Sequence, residues 1–184
     1  MATTTTAQPT RRDFLYIATG AVGGVGVALA AWPFIDQMNP SSAVLALASI
    51  EVDISSVQVG QQVVQNWRGH PLFIRRRTPK EIAEARAVAV SDLPDPDARN
   101  ANLPDGSPAT DANREIKPEW LILVGVCTHL GCTPTVLEGD YGGWLCHCHG
   151  SQYDTAGRIR KGPAPQNLAV PPYAFLSDTK IKVG

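Results

Sequence analysis

Hydrophobic and polar positions divide this chain into unequal parts. From Phe14 to Ile35 there are 22 residues without a charge. About 20 apolar residues cross the hydrocarbon core of a bilayer, so the run predicts one transmembrane helix. A cleaved leader has an apolar region of only about 7–15 residues, and no small-x-small cleavage site with a polar flank stands out here, so we read a retained anchor. The next thirteen residues, Asp36–Ala48, contain Pro40 and then small side chains with no large apolar face. They predict a flexible tether, which fully extended would reach roughly 40 Å at about 3.3 Å per residue. The expected organisation is therefore an N-terminal segment over 1–13, an anchor over 14–35, a hinge or linker over 36–48 and a head over 49–184.

Within the head the pattern shortens to strand-like runs separated by Gly and Pro. Gln61–Trp67 and Leu72–Arg76 are β-rich and flank Arg68-Gly69-His70-Pro71, a predicted turn that makes His70 a surface residue. Thr78-Pro79-Lys80-Glu81 opens a short helix, with Thr78 as cap, Pro79 at the first position and Glu81 completing a capping box. Ser91–Pro118 is rich in Asp, Asn and Pro, which predicts a surface excursion outside the core. Trp120–Val126 is a continuous apolar run, read as a buried strand that delivers Cys127. Gly142–Leu145 delivers Cys146 in the same way. Tyr173–Leu176 and Thr179–Val183 flank Ser177-Asp178 as a closing hairpin. The expected fold is mainly β: a small antiparallel sandwich or barrel, with a subdomain inserted over about 126–172.

Charge adds an orientation. Arg11 and Arg12 precede the apolar run, and no Lys or Arg recurs until Arg68. The positive-inside rule then leaves the N-terminus cytoplasmic and the head on the far side. Trp32 would sit at the interface, and Gly20 and Gly24 have the spacing of close helix packing. With 18% charged residues and a net charge of −1, the chain is no electrostatic nucleic-acid binder.

Chemistry is concentrated in two short boxes. Cys127-Thr128-His129-Leu130-Gly131-Cys132 and Cys146-His147-Cys148-His149-Gly150-Ser151 hold all four cysteines and three of the four histidines. A C-x-H box and a C-x-x-H box together offer two thiolates and two imidazoles. That donor set suits tetrahedral zinc, or a [2Fe–2S] centre in which two histidines replace two cysteines on one iron. A zinc knuckle, which would make the chain an anchored interaction module, has no use for a second cysteine pair.

CTHLGC followed by C-x-C-H-G-S-x-Y-D resembles the Rieske iron–sulfur subunits of bacterial and mitochondrial cytochrome bc complexes, the quinol–cytochrome c reductases. The anchor, the linker and the later Gly162-Pro163-Ala164-Pro165 loop extend the resemblance to nearly the whole chain, and Thr10-Arg11-Arg12-Asp13-Phe14-Leu15 resembles a twin-arginine export signal. The resemblance implies one Rieske [2Fe–2S] cluster. Cys127 and Cys146 would bind the inner iron and His129 and His149 the outer iron, with Cys132 and Cys148 joined as a disulfide between the loops. Ser151 would donate a hydrogen bond to a bridging sulfide and Tyr153 one to the sulfur of Cys127. Leu130 would cover the cluster, while Gly162 and Pro163 form a stiff flap beside it. His149 would accept a hydrogen bond and a proton from quinol. The implied partners are a cytochrome b subunit, a membrane-bound c-type cytochrome subunit, ubiquinol and the lipid bilayer, in a dimeric complex of the bacterial inner membrane with the head in the periplasm. Such a chain works as a subunit of an oxidoreductase and is not catalytically complete alone. A Rieske subunit of another membrane oxidoreductase, such as arsenite oxidase, would carry the same boxes. His147 departs from the pattern: it stands where the second box usually has proline, and adds an imidazole that could compete as a ligand.

Overall fold

The computed structural model describes residues 10–42, 44 and 48–184, so residues 43 and 45–47 of the expected linker and the first nine residues lie outside it. The chain divides into two compact units, residues 1–45 and 46–184. The first is built on α1 (Arg11–Asp36), a 26-residue helix with no buried residue. It begins before the uncharged run because Thr10 and Asp13 form a reciprocal capping box that satisfies the first free backbone N–H groups. At about 1.5 Å per residue a helix of this length exceeds the roughly 30 Å of a bilayer core, and its most apolar 18-residue stretch has a mean hydropathy of 1.8, so by length and composition it can span a membrane.

The second unit is mainly β, as expected, and consists of three antiparallel sheets. Its strands are β1 (Ile50–Asp53), β2 (Gln62–Trp67), β3 (His70–Arg76), β4 (Trp120–Val124), β5 (Thr135–Val136), β6 (Gly142–Cys146), β7 (Ser151–Asp154), β8 (Ile159–Lys161), β9 (Tyr173–Ser177) and β10 (Lys180–Val183). One sheet runs β1-β10-β9, the second β2-β3-β4 and the third β5-β6-β7-β8. Helix α2 (Pro79–Ala87) follows β3 and carries the predicted capping box of Thr78 and Glu81. Glu81 also takes the guanidinium of Arg75 at 2.5 Å, which fixes the helix to the strand before it.

The β2–β3 turn is tighter than the sequence suggested. Trp67 pairs directly with His70, leaving Arg68 and Gly69 as a two-residue loop with φ of 52° and 78°. Two consecutive left-handed residues match the twist of a hairpin, and glycine makes the second one easy. His70 is thus the first strand residue, and it is exposed.

Leu72, Phe73 and Ile74 of β3 and Leu121, Ile122 and Leu123 of β4 are all buried, which explains their unbroken apolar runs: both faces of these strands are covered. Trp144 of β6 is fully buried, stacks on Phe73 with ring centroids 6.1 Å apart and donates its indole N–H to Gln62. The four-stranded sheet is thereby packed on the second one.

The expectation for 91–118 needs correction. The segment runs largely without strands, but it is no mere surface loop, since Leu93, Asp95, Ala98, Asn100, Ala109, Asp111 and Arg114 are buried. Its polar residues do work that a strand ladder would otherwise do. Arg114, fully buried, donates to the carbonyls of Ala98, Ala156, Gly157 and Leu168. Arg158 reaches the carbonyls of Ala85 and Ala109 while pairing with Asp154. Buried backbone groups must find partners, and here side chains supply them.

Candidate metal centre

The two boxes fold into matching loops. β4 leads into Cys127, whose carbonyl accepts from the N–H of Gly131, while β6 ends at Cys146, whose carbonyl accepts from the N–H of Gly150. Both glycines are left-handed, with φ of 84° and 77°. A side chain there would strain the turn, so each box needs glycine four residues after its first cysteine. That repeated C-x-x-x-G spacing is visible in the sequence, and the reading by ligand type passed over it.

Cys132 and Cys148 form a disulfide, with Cα atoms 6.7 Å apart. Their sulfurs and that of Cys146 lie within 4.8 Å of one another. This trio is not a ligand set, because two of its members are bonded together and offer no thiolate. The free thiols are the buried Cys127 and Cys146. The rings of His129 and His149 meet edge to face with centroids 4.7 Å apart. His149 is exposed, whereas His129 Nδ1 is buried and has no hydrogen-bond partner. Buried polar atoms are rarely left unpaired, and a nitrogen reserved for a metal is one reason they are. Two buried thiols and two adjacent imidazoles fit a mixed-ligand iron–sulfur cluster.

The surroundings favour negative charge on one thiol. Burial pushes the Cys127 thiol up, but hydrogen bonds from Tyr153, the His129 backbone, Cys146 and Ser151 outweigh it and leave the group below its ordinary value. Burial and the bond to Cys127 push Cys146 up instead. The Tyr153 hydroxyl lies 3.4 Å from Cys127 Sγ and is held upward by burial and by that sulfur, which keeps it a donor.

Ser151, fully buried at the start of β7, accepts the N–H of Ala164 at 3.1 Å. Gly162 lies directly over it, so that a Cβ on Gly162 would come 2.6 Å from Ser151 Cα. Pro163 is exposed on the outer side of the same flap. The flap is tied to the first box as well, since Thr128 Oγ1 donates to the carbonyl of Gln166 and accepts its N–H. Leu130 projects from the tip, 70% exposed. His147 Nε2 meets Glu138 Oε2 at 2.5 Å. It therefore acts as a clasp to the β5–β6 turn and is held apart from the donor set.

The Rieske [2Fe–2S] domain family matches residues 53–173, and the family described as ubiquitinol-cytochrome C reductase Fe-S subunit TAT signal matches residues 1–41. The chain is 55% identical over its full length to the ubiquinol-cytochrome c reductase iron-sulfur subunit of Blastochloris viridis, covering 98% of that protein. The chain belongs to the Rieske iron–sulfur subunits of ubiquinol–cytochrome c reductase. The subunit of the same name from Bradyrhizobium diazoefficiens is 54% identical over 96% of this chain and 95% of its own. A chain of the solved structure titled "Hyperthermophilic respiratory Complex III" is 30% identical, over 90% of this chain and 98% of that one, with a TM-score of 0.47. The cofactor of this Rieske subunit is accordingly a [2Fe–2S] cluster, and the complex it serves is an oxidoreductase.

Proposed function

We propose that this Rieske subunit takes one electron and one proton from ubiquinol at a cytochrome b subunit and delivers the electron to a membrane-bound c-type cytochrome subunit. The observation that carries the reading is the unequal placement of the donors: Cys127 and Cys146 buried, His149 exposed at the tip. Cys127 and Cys146 would hold one iron of the cluster, and His129 and His149 the other. The bound cluster supplies one-electron redox chemistry. With one ring nitrogen committed to iron, His149 would present the other, deprotonated, to the quinol hydroxyl, accept its hydrogen bond and then its proton. Leu130 offers apolar surface to the quinol site, and the Gly162–Pro163 flap excludes water from the buried thiols. The head lies in the periplasm on a membrane-spanning helix whose N-terminus is cytoplasmic, the complex is dimeric, and residues 36–48 let the head move between its two partners. The charge asymmetry around α1 supports that orientation, and Pro40 with the small residues after it supports the hinge.

A redox titration of membranes, followed by the electron paramagnetic resonance of the reduced cluster, tests this. The expected midpoint is clearly positive and falls as pH rises through the histidine range, because reduction draws a proton that is scarcer at high pH. A negative midpoint indifferent to pH would overturn the quinol reading. In the same experiment Ser151→Ala and Tyr153→Phe should each lower the midpoint while the cluster persists, since each removes a hydrogen bond that disperses sulfur charge. Unchanged midpoints in both variants would remove the role given to them.

A further inference from the structure

The flap has its root far away in sequence. Asn167, immediately after it, is completely buried and uses every polar group it has. Its backbone N–H donates to Asp95 Oδ2 at 2.8 Å, and its side-chain amide donates to the carbonyls of Asp95 at 3.1 Å and Asp97 at 2.7 Å. Its Oδ1 accepts the N–H of Ile159 in β8, and its carbonyl accepts Arg99. Asp95, 7% exposed, divides its two oxygens, one taking Asn167 and the other the N–H of Asp97. The segment 91–118 thus grips the flap at its base, where Thr128 also holds Gln166, while Ser151 holds it further along at Ala164.

We propose that Asp95 and Asn167 are positioning residues that set the cluster's potential through the flap and Ser151. The inference rests on the reading of Ser151 as a donor to a cluster sulfur. A hydroxyl has one proton to give and two lone pairs. With the N–H of Ala164 on one lone pair, the proton of Ser151 is turned away from the flap and toward the donor set. The hydrogen bond to Ala164 is already 3.1 Å long, so a displacement of about half an ångström takes it beyond the useful range and frees the hydroxyl to rotate. Asparagine at position 95 keeps the shape but offers one acceptor oxygen where two are used, so either Asn167 or Asp97 loses its partner.

The test is the midpoint and g-values of the reduced cluster in membranes carrying the whole complex. It compares wild type, Asp95→Asn, Asn167→Ala, Ser151→Ala, and each of the first two combined with Ser151→Ala. The expected result is a lower midpoint for Asp95→Asn, smaller than the fall for Ser151→Ala, and no further fall when the two are combined. Asn167→Ala should act in the same direction and more strongly; if it loses the cluster, Asp95→Asn decides. A full-occupancy cluster with an unchanged midpoint in Asp95→Asn would overturn the proposal, as would a fall of equal size in the Ser151→Ala background. If Ser151→Ala alone leaves the midpoint unmoved, the reading of Ser151 as donor fails first and the route through it fails with it.

Discussion

Alanine in place of Gly143 should leave the chain unable to assemble its cluster-binding sheet. A Cβ at this position would stand 2.1 Å from the carbonyl oxygen of Asp154, 2.3 Å from its carbon and 2.5 Å from the carbonyl oxygen of Tyr153. All three are backbone atoms of β7, so no side-chain rotation relieves the overlap. The β6–β7 register shifts between Gly142 and Trp144, and Gly143 is the residue that lets the strands stay close across that irregularity. Room for a methyl group requires β6 to move off β7. That motion carries Trp144 away from Phe73 and Cys146 away from its partner Ser151. Ordinary overpacking costs about 1–3 kcal/mol; a clash confined to backbone lies above that range, out of a total stability of only about 5–15 kcal/mol. The expected outcome is loss of most of the cluster signal per chain, with thermal unfolding of the full-length protein at a lower temperature. A normal signal and an unshifted transition would refute the steric argument.

Gly143 also shows what could be read from the sequence and what could not. The two boxes are legible because each is local: Cys127 and His129, like Cys146 and His149, lie on single turns whose spacing is printed in the chain. The central strands were legible because burial on both faces leaves a continuous apolar run. The tight hairpin was half legible, since Arg68-Gly69 is a two-residue turn signal, yet Pro71 drew the reading two residues too far. What escaped depends on contacts between distant segments. Nothing in Gly142-Gly143 says which glycine lies against another strand. The carboxylate of Asp95 looks like solvent-facing loop chemistry until Asn167, 72 positions later, is found on it. The same holds for Arg114: it lies in a stretch whose Asp, Asn and Pro content points to the surface, yet it is buried against four backbone carbonyls. Thr10 to Asp13 carried two messages, an export motif and a helix cap, and only the first was read.

Removing the Cys132–Cys148 bond should cost the cluster loops about 3 kcal/mol, the loop-closure value for a cross-link over a separation of this size. The effect falls on the site because, apart from the contact between the Cys127 and Cys146 thiols, no backbone hydrogen bond among the described residues runs directly between the two boxes. Each loop closes on itself through its own glycine, and the disulfide is the covalent tie between the two. Cys132→Ser and Cys148→Ser should therefore each lower the temperature at which the cluster signal is lost, while leaving a mixed-ligand spectrum in the chains that retain a cluster. Replacement of Cys127 or Cys146 should instead abolish the signal. The double variant, Cys132→Ser with Cys148→Ser, separates the two roles. If the cysteines act as one bond, it loses no more than either single variant, because the first substitution has already removed the whole interaction. Additive losses would mean that the two sulfurs act independently, as ligands would, and the compact trio of Cys132, Cys146 and Cys148 would then have to be reconsidered as the metal-binding set.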